Sequence, residues 1–411
     1  MRKITRYIIL LLFILVLIGC DIRKPENENI DLKQIDTLAV TTPTPTGSQP
    51  ATSANLPKQK DQTESSSAIN PLTGLPVENP DNLKLPPVLA SISNFPPTAR
   101  PQAGLSFSPI VFELFIGGGM TRNLAVFYGD YPETAVGDQD ADSLTEGMQE
   151  AMIGPIRSGR VSYEKIRKLF NGFLVMASAM KSVSEELSDY VNVFGSDSDI
   201  NNNMFQVTDL EKLAQSSKDM LGENALSGMV FSATPPEGGL EAKSLWLYYA
   251  YLNQIFWRYN DQDGTFHRFQ DNADGSTFIE ATDRLNGEPL RYSNVIVLFV
   301  KHEVKSDYVI DLDLLFKKRE KALLFRDGKM YQIYWTTLSE DYEKTTGKMR
   351  PIRFIDAEGN PFPLKPGQTW IEVVTRGLSA WETVDSEVYN RLMAGNAPGS
   401  GYWAVRFKDP T

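Results

Sequence analysis

The sequence "SPIVFELFIGGGMTRNLAVFYGD", from Ser108 to Asp130, contains two apolar runs separated by three glycines. Each run is short, rich in β-branched and aromatic residues, and bounded by proline, glycine or aspartate, which is typical of strands in a buried sheet. Similar runs occupy Pro86–Asn94 and Phe173–Ala177. From Pro155, apolar residues recur at three- and four-residue spacing, which predicts a helix that starts at that proline. Strands that alternate with helical segments predict an α/β layer.

The second half of the chain is richer in strand signals. Its apolar runs are Ser244–Tyr259, Asn294–Val304, Ala322–Trp335, Pro351–Phe362 and Gln368–Val374. Two dipeptides between apolar stretches, Asp327-Gly328 and Glu358-Gly359, suit hairpin turns, which need residues that accept a positive φ. We therefore predict an α+β protein, with an N-terminal α/β layer domain (residues 69–225) followed by a β-rich, mainly antiparallel C-terminal domain (residues 226–411).

The N-terminus has the pattern of a secretory signal. Three basic residues precede the apolar run Tyr7–Ile18, which is shorter than the roughly 20 residues of a membrane-spanning helix. The run leads into Leu-Ile-Gly-Cys, which resembles a bacterial lipobox. Such a box implies removal of residues 1–19 as a signal peptide and attachment of diacylglycerol and a fatty acid such as palmitate to Cys20. We expect a lipoprotein on the outer face of the cytoplasmic membrane of a bacterium; the alternative is an ordinary signal peptide with an incidental cysteine.

Residues 20–68 are predicted to form a disordered tether. They are rich in threonine, proline and serine and have no apolar periodicity, so they cannot bury enough surface to offset the entropy of ordering. The chain has a formal net charge of -11, which falls to -14 when Arg2, Lys3 and Arg6 leave with the signal peptide. Such an acidic surface repels the phosphate backbone, so nucleic acid is not an expected partner.

The sequence offers little for catalysis. Its single cysteine is Cys20, which the lipobox assigns to lipid, and neither a G-x-S-x-G motif nor a Walker motif occurs. Of the two histidines, His267 follows a turn on the expected solvent face of a strand, and His302 ends a strand beside acidic residues. If the protein is an enzyme, the hypothesis is a cell-envelope hydrolase or transferase that uses His302 as its base. This is the alternative to a role in binding.

No metal site or cofactor is predicted. Asp138, Asp140 and Asp142 have the one, three, five spacing of an EF-hand loop, and the loop from Asp197 is similar. Both loops lack the turn glycine and the twelfth-position glutamate that the calcium geometry requires, so we interpret them as hydrated loops. No cluster of histidine and cysteine has metal-ligand spacing.

Arginines are concentrated in a few motifs of this acidic chain. The motif "GPIRSGR" (Gly154–Arg160) contains two arginines, Arg157 and Arg160. A helix that starts at Pro155 would project both side chains from one side of its first turns. The free N–H groups of those turns favour anions. The alternative is structural, because Glu113 lies in an apolar strand and needs an arginine partner if it is buried. The predicted anion- or partner-binding residues are Arg100, Thr121, Arg122, Arg157, Ser158 and Arg160, around a loop of Gly117, Gly118 and Gly119.

Seven motifs occur in a fixed order along the chain. They are "NPLTGLPV" (Asn70–Val77), "ARPQAGLS", "FELFIGGGMTR", "GPIRSGR", "NVIVLFVKH", "LFRDGKMYQIYW" and "FIDAEGNPFPLKPGQTWIEVV". In this order they resemble the N- and C-terminal parts of the YerB-like bacterial lipoproteins, which carry domain of unknown function 3048. The resemblance spans most of residues 70–374 and implies a two-part extracytoplasmic lipoprotein with no assigned catalytic residue. An acidic insertion at residues 134–153 and a tail after Val374, which ends in "GYWAVRF" and is expected to add an edge strand, depart from the family pattern.

Together these observations favour a non-enzymatic binding protein. It is expected to be anchored to the membrane through Cys20 and to hold an anionic envelope ligand, such as a cell-wall polymer, or the carboxylates of an envelope protein.

Overall fold

The computed structural model describes seven stretches of the chain. They are residues 68–131, 152–193, 203–306, 309–338, 340–378, 380–383 and 399–411. The predicted signal peptide, Cys20, nearly all of the predicted tether and the two acidic loops that begin at Asp138 and Asp197 lie outside these residues. Within them, no group of acidic, histidine or cysteine side chains is arranged to hold a metal ion. None of the described helices combines the length and apolarity that crossing a bilayer requires.

The described residues form mainly strands. The first eleven are β1 Val88–Ser93, β2 Ile110–Gly117, β3 Met120–Phe127, β4 Met152–Ile153, β5 Phe173–Met176, β6 Tyr190–Asn192, β7 Phe205–Gln206, β8 Leu240–Glu241, β9 Ser244–Ala250, β10 Asn253–Asn260 and β11 Thr265–Asp271. The next eleven are β12 Phe278–Glu280, β13 Arg291–Tyr292, β14 Asn294–Val300, β15 His302–Ser306, β16 Val309–Leu312, β17 Glu320–Arg326, β18 Lys329–Thr336, β19 Arg353–Ile355, β20 Thr369–Thr375, β21 Trp381–Thr383 and β22 Tyr402–Arg406. The α-helices among the described residues are α1 Val161–Phe170, α2 Lys181–Ser184, α3 Val207–Leu221 and α4 Glu340–Thr346.

One large sheet combines strands from both halves of the chain. Its order is β19-β18-β17-β14-β20-β2-β3-β1-β5-β6, and β8 pairs with β18 beside this path. β20 is parallel to both of its neighbours, β14 and β2, and its Glu372 lies opposite Glu113 of β2. Residues 69–225 and 226–411, which the sequence predicted as two domains, thus share one sheet.

A second sheet covers one face of the first. Its order is β12-β11-β10-β9-β22-β21, with β13 paired to β11. Apolar side chains of both sheets, such as Val111, Trp257 and Trp370, form one core cluster. The C-terminal "GYWAVRF" was expected at a sheet edge, but β22 pairs with β9 on one side and β21 on the other. Its apolar side chains lie in the core, which an inner position satisfies better than an edge.

Helix α1 packs on the opposite face of the large sheet. Its Tyr163, Ile166 and Phe170 are completely buried in a second core cluster with Leu89 and Phe112 of the sheet. Most strand pairs are antiparallel, and the chain is strand-rich with a β-rich C-terminal part, as the sequence predicted.

Candidate functional site

The motif GPIRSGR lies where two parallel strands separate. β1 pairs with β5 only through its first three residues, and the motif runs between the C-terminal ends of these strands. The N–H of Ser93 donates to the carbonyl of Pro155 at 2.8 Å, and the N–H of Arg157 donates to the carbonyl of Ser91 at 2.8 Å. On the other side, the N–H of Ala177 donates to the carbonyl of Arg157 at 2.9 Å. The motif therefore extends the ladders of both strands.

The prediction of a helix from Pro155 is wrong, because α1 begins only at Val161. Its N-cap residue, Arg160, is extended (φ -134°, ψ 147°), and no side chain caps the first turn. The backbone between these positions satisfies the buried polar groups of β1 and β5, and that requirement overrides the helical spacing of its side chains. As a result, Arg157 and Arg160 do not project from one helical face.

Arg122 lies beside the motif on the α1 side of the large sheet. It belongs to β3, sits opposite Ser93 of β1 and is only 8% exposed. Its Nη1 donates to the carbonyl of Ser158 at 2.9 Å. Its pKa is lowered to about 10, first by burial and also by repulsion from Arg160 and Arg157. The side chain therefore still carries its positive charge at neutral pH.

Arg122, Arg157 and Arg160 form what we call the arginine cluster. The Nε of Arg157 donates to Ser93 Oγ at 3.2 Å, and the Nη1 of the partly exposed Arg160 donates to the carbonyl of Gly159 at 3.0 Å. The Nε atoms of Arg122 and Arg160 are buried without a partner. Within the described residues, no carboxylate lies at ion-pair distance from Arg122 or Arg160. Among the described residues, the charges of Arg122 and Arg160 are therefore not balanced by an ion pair.

Arg100 is connected to the arginine cluster through Phe95. Its guanidinium carbon lies 4.8 Å from the centroid of the Phe95 ring, and the carbonyl of Phe95 accepts a hydrogen bond from Arg157 at 3.4 Å. Its Nη1 reaches across to the second sheet and donates to the carbonyl of Asp271 at 2.6 Å. Its pKa is lowered to about 10, by burial first and then by Arg268. Arg100 therefore faces the space between the two sheets.

Thr121 and the glycine loop have other surroundings. The buried Thr121 hydroxyl donates to Glu113 Oε1 at 2.7 Å, and because neighbouring strand residues point to opposite faces, it lies across the sheet from Arg122. Gly117–Gly119 form the turn between β2 and β3. A Cβ on Gly119 would lie 2.7 Å from the Cβ of Ala250, so this glycine permits the close approach of the β9–β10 hairpin.

Glu113 pairs with an arginine, as predicted for a buried glutamate. The partner is Arg268 of the second sheet, outside the set predicted from the sequence. Its Nη2 lies 2.9 Å from Glu113 Oε2, and the two side chains are 1% and 0% exposed. The guanidinium carbon of Arg268 also lies 4.7 Å from the centroid of the Trp370 indole. Because Arg268 neutralises Glu113, the predicted site arginines are not used for that purpose.

The sequence reasoning missed a second buried carboxylate, Glu372. Tyr249 and Trp257 contact its two oxygens at 3.0 and 2.9 Å. Burial, followed by repulsion from Glu113, raises its pKa to about 8. The sequence contains a signal that could have identified Glu372: a glutamate within the apolar run "TWIEVV". This repeats the pattern of Glu113 in "FELF". Glu113, Arg268 and Glu372 are called the buried charge group below.

The two histidines have different surroundings. The ring of His302 packs against an aromatic side chain, and its Nδ1 lies 3.0 Å from the carbonyl of Val300. Burial lowers its pKa to about 4, and among the described residues no serine or aspartate side chain hydrogen-bonds to its ring. His267 is half-buried, with Asp263 at 2.7 Å and Glu280 at 3.1 Å. Its hydrogen bond to Glu280, together with the bond to Asp263, raises its pKa.

Both parts of the chain match models of one protein family. Residues 72–221 match the family model described as "Protein of unknown function (DUF3048) N-terminal domain". Residues 247–371 match the model described as "Protein of unknown function (DUF3048) C-terminal domain".

A relative and a solved structure extend this result. The chain is similar to "Putative lipoprotein YerB" of Bacillus subtilis (strain 168), with 26% identity over 321 residues, which are 74% of this chain and 85% of the relative. It is also similar to the crystal structure of the YerB protein from Bacillus subtilis, with a TM-score of 0.57 and 24% identity. That match covers 75% of this chain and 96% of the solved chain, and it supports the fold.

Proposed function

Because this chain belongs to the DUF3048 family, whose function is unknown, we propose a function from the residues of the chain itself. We propose that the protein is a lipid-anchored binding protein on the outer face of the cytoplasmic membrane. Its arginine cluster holds an anionic ligand of the cell envelope. The α/β layer of residues 69–225 carries the site, and the β-rich residues 226–411 contribute strands to the same sheet.

Two observations support the anchoring. The chain has its single cysteine at Cys20, at the end of an apolar run that follows basic residues. A Bacillus subtilis relative that matches 74% of the chain is described as a lipoprotein in its name. One acyl chain holds a protein only weakly at a bilayer, so a cysteine that carries several chains provides a stable anchor.

The observation that carries the binding role is the charge of Arg122 and Arg160, which no ion pair within the described residues compensates. Arg122 and Arg160 have carbonyl oxygens as hydrogen-bond acceptors and no carboxylate at ion-pair distance within the described residues. Charges in a partly buried site are screened less by water and salt than surface charges, so they attract an anion over a longer range. The uncapped first turn of α1 follows directly after Arg160 and adds the positive end of the helix dipole. The partly exposed Ser158 and Arg160 are the groups that a ligand reaches first.

The replacement Arg160→Gln is expected to weaken binding of soluble anionic cell-wall fragments at least tenfold. A charge-assisted hydrogen bond contributes about 1.5–3 kcal/mol, and about 1.4 kcal/mol corresponds to a factor of ten in affinity. Isothermal titration of the full-length protein in detergent measures the effect. Arg376→Gln removes the same charge from an exposed ion pair with Glu320 and should bind as the wild type does. Equal affinity of the wild type and Arg160→Gln would contradict the proposal.

The replacement Cys20→Ser is expected to release the protein from the membrane, because serine cannot accept diacylglycerol through a thioether. Fractionation of cells and radioactive palmitate labelling check this expectation together. The wild type should be labelled and sediment with membranes, and the variant should be unlabelled and soluble. Palmitate labelling of the variant would show that the lipid is attached elsewhere.

A further inference from the structure

The loop before β17 carries an exposed aromatic side chain. Phe316 is 60% exposed, and it is the only exposed phenylalanine among those whose side chains the structure describes. Its backbone has a φ of 57°, a conformation that strains a bulky side chain and that glycine or asparagine adopts more easily. The exposed ring gains little from packing and the backbone disfavours it, so a role outside the fold is indicated.

Hydrogen bonds on both sides hold this loop in place. The hydroxyl of Thr337 donates to the carbonyl of Leu314 at 2.7 Å, and the N–H of Lys317 donates to Thr337 Oγ1 at 3.0 Å. The carbonyl of Lys317 accepts a hydrogen bond from the hydroxyl of Thr336 at 2.7 Å. The main chain is therefore fixed before and after Phe316, and the turn presents the ring to the surroundings.

The residues that follow Phe316 are basic, although the chain has a net charge of -11. Arg319 and Lys321 are exposed, and no carboxylate of the described residues lies at ion-pair distance from either. Glu320 lies between them in sequence and is paired with Arg376 at 3.2 Å. The two lysines before Arg319 have partners of their own. The charges of Arg319 and Lys321 are thus available to an anionic partner.

We propose that Phe316, Arg319 and Lys321, which we call the basic loop, dock onto the surface of an anionic lipid bilayer. An apolar ring beside cations matches this surface, because the ring can enter the interface while the cations stay near the headgroup phosphates. The proposal goes beyond the proposed function and concerns a surface other than the arginine cluster. The anchor predicted at Cys20 favours a bilayer over a protein as the partner, because it confines the loop near the membrane.

The predicted tether is long enough for this contact. The described chain begins at Ala68, near the start of β20, where the N–H of Gly367 donates to the carbonyl of Thr73 at 2.8 Å. The basic loop lies at the other end of the sheet, because β17 is antiparallel to β14 and β14 is parallel to β20. A seven-residue strand such as β20 spans about 23 Å, whereas a flexible coil of about 48 residues spans roughly 40 Å. The anchor and the basic loop can therefore reach the same bilayer.

The test measures binding to vesicles without the anchor. The mature chain (residues 20–411) with Cys20→Ser is sedimented with vesicles of phosphatidylglycerol or of phosphatidylcholine, and we expect roughly twentyfold stronger binding to phosphatidylglycerol. Phe316→Asn should weaken that binding about tenfold, because the apolar ring is lost, and asparagine accepts the positive φ. Joint replacement by Arg319→Gln and Lys321→Gln should weaken it roughly twentyfold, since each cation near an anionic surface contributes about a factor of five. Circular dichroism verifies that each variant is folded.

The control variants change the same properties at the other end of the β17–β18 hairpin. Leu240→Asn alters a side chain that is 51% exposed, and Lys243→Gln combined with Lys329→Gln removes two exposed charges. These variants and Arg160→Gln should bind phosphatidylglycerol as the wild type does. If Arg160→Gln instead abolished vesicle binding, the headgroup would lie at the arginine cluster, and this inference would fall while the proposed function would stand.

A second measurement detects a contact that needs the anchor. The chain contains only one cysteine, Cys20, whose thiol is blocked in the lipidated protein, so a polarity-sensitive dye can be attached specifically to Lys318→Cys. In vesicles that carry the lipidated protein, its emission should shift to shorter wavelength with phosphatidylglycerol relative to phosphatidylcholine. The same dye on Lys329→Cys should show no shift. A shift without sedimentation of the unanchored chain would still support docking, with the anchor as a requirement.

The other outcomes overturn the inference. They are the absence of both sedimentation and the shift, equal binding to the two lipids, and vesicle binding that Phe316→Asn leaves unchanged. Sedimentation equilibrium of the unanchored chain examines another occupant. A dimer that Phe316→Asn dissociates would assign the basic loop to a second copy of the protein and would also overturn docking onto a bilayer.

Discussion

Replacing Glu113 with glutamine is expected to lower the free energy of unfolding by about 3–5 kcal/mol at pH 7. Glu113 and Arg268 form a completely buried ion pair at 2.9 Å between the two sheets. Glutamine keeps the volume and a hydrogen-bonding oxygen but leaves the guanidinium without its counter-ion, and removal of one partner from a buried pair costs about that amount. Guanidinium denaturation followed by tryptophan fluorescence measures the loss.

The matched control is Glu372→Gln, which changes the neighbouring carboxylate of the same buried charge group. At pH 7 this carboxyl is mostly protonated, because its pKa is raised to about 8. Its replacement by a neutral amide should therefore change stability by no more than about 1 kcal/mol. In Glu113→Gln, Glu372 can ionise and partly replace the lost charge, so the double variant should lose more than the sum of the single losses. Equal losses for the two single variants would contradict this assignment of charges.

The second large effect concerns pH. The pKa of Glu372 is raised from 4.5 to about 8 in the folded protein, first by burial and then by Glu113. The folded state binds this proton more tightly than the unfolded chain does, so the stability that Glu372 contributes is complete below about pH 4.5. It is lost progressively as the pH rises through about 8. At full deprotonation the loss amounts to about 3–5 kcal/mol, since each pKa unit corresponds to about 1.36 kcal/mol.

The comparison of wild type with Glu372→Gln isolates this titration. Both proteins contain His267 and His302, so the contributions of those residues cancel in the difference. The variant should gain stability relative to the wild type as the pH increases from about 5 to 9, and the difference should level off above the pKa of Glu372. Denaturation midpoints at a series of pH values test this. Parallel profiles for the two proteins would show that Glu372 does not titrate in this range.

Strands were the most predictable feature of the sequence, because a buried strand has a local signature. The runs at Pro86–Asn94 and Phe173–Ala177 correspond to β1 and β5. The turn at Asp327-Gly328 joins β17 to β18, and both of its residues have positive φ, at 51° and 66°. Apolar β-branched runs and turn residues depend on neighbours in sequence, which is why local reasoning identifies them.

The neighbours of a strand were not predictable in the same way. β20 contains the apolar run "TWIEVV", and such a run is equally compatible with an antiparallel edge and with the parallel position that it occupies between β14 and β2. The GPIRSGR motif shows the same limit. Its proline and apolar spacing favoured a helix, but hydrogen bonds to β1 and β5 held it extended. Partners that are remote in sequence decided both cases.

The candidate site was predictable only in part. Arg122, Arg157, Ser158 and Arg160 were predicted from motif position. They lie near one another because the backbone of GPIRSGR extends between β1 and β5, and not because they share a helix face. Their binding role stays a prediction. Thr121 and the glycine loop belong to the opposite face of the sheet. Arg268, the partner of Glu113, lies 155 residues further along the chain, and no local pattern connects the two.

The central claim is that an oxyanion binds between Arg160, Ser158 and the start of α1, with Arg122 behind it. Its most direct test is the anomalous difference map of a crystal of this protein grown with tungstate, a tetrahedral anion that is visible by its scattering. The account predicts a peak within hydrogen-bond distance of Arg160 and Ser158 in the wild type and no peak there in Arg160→Gln. A map with tungstate bound only elsewhere, or with the same peak in both proteins, would contradict it.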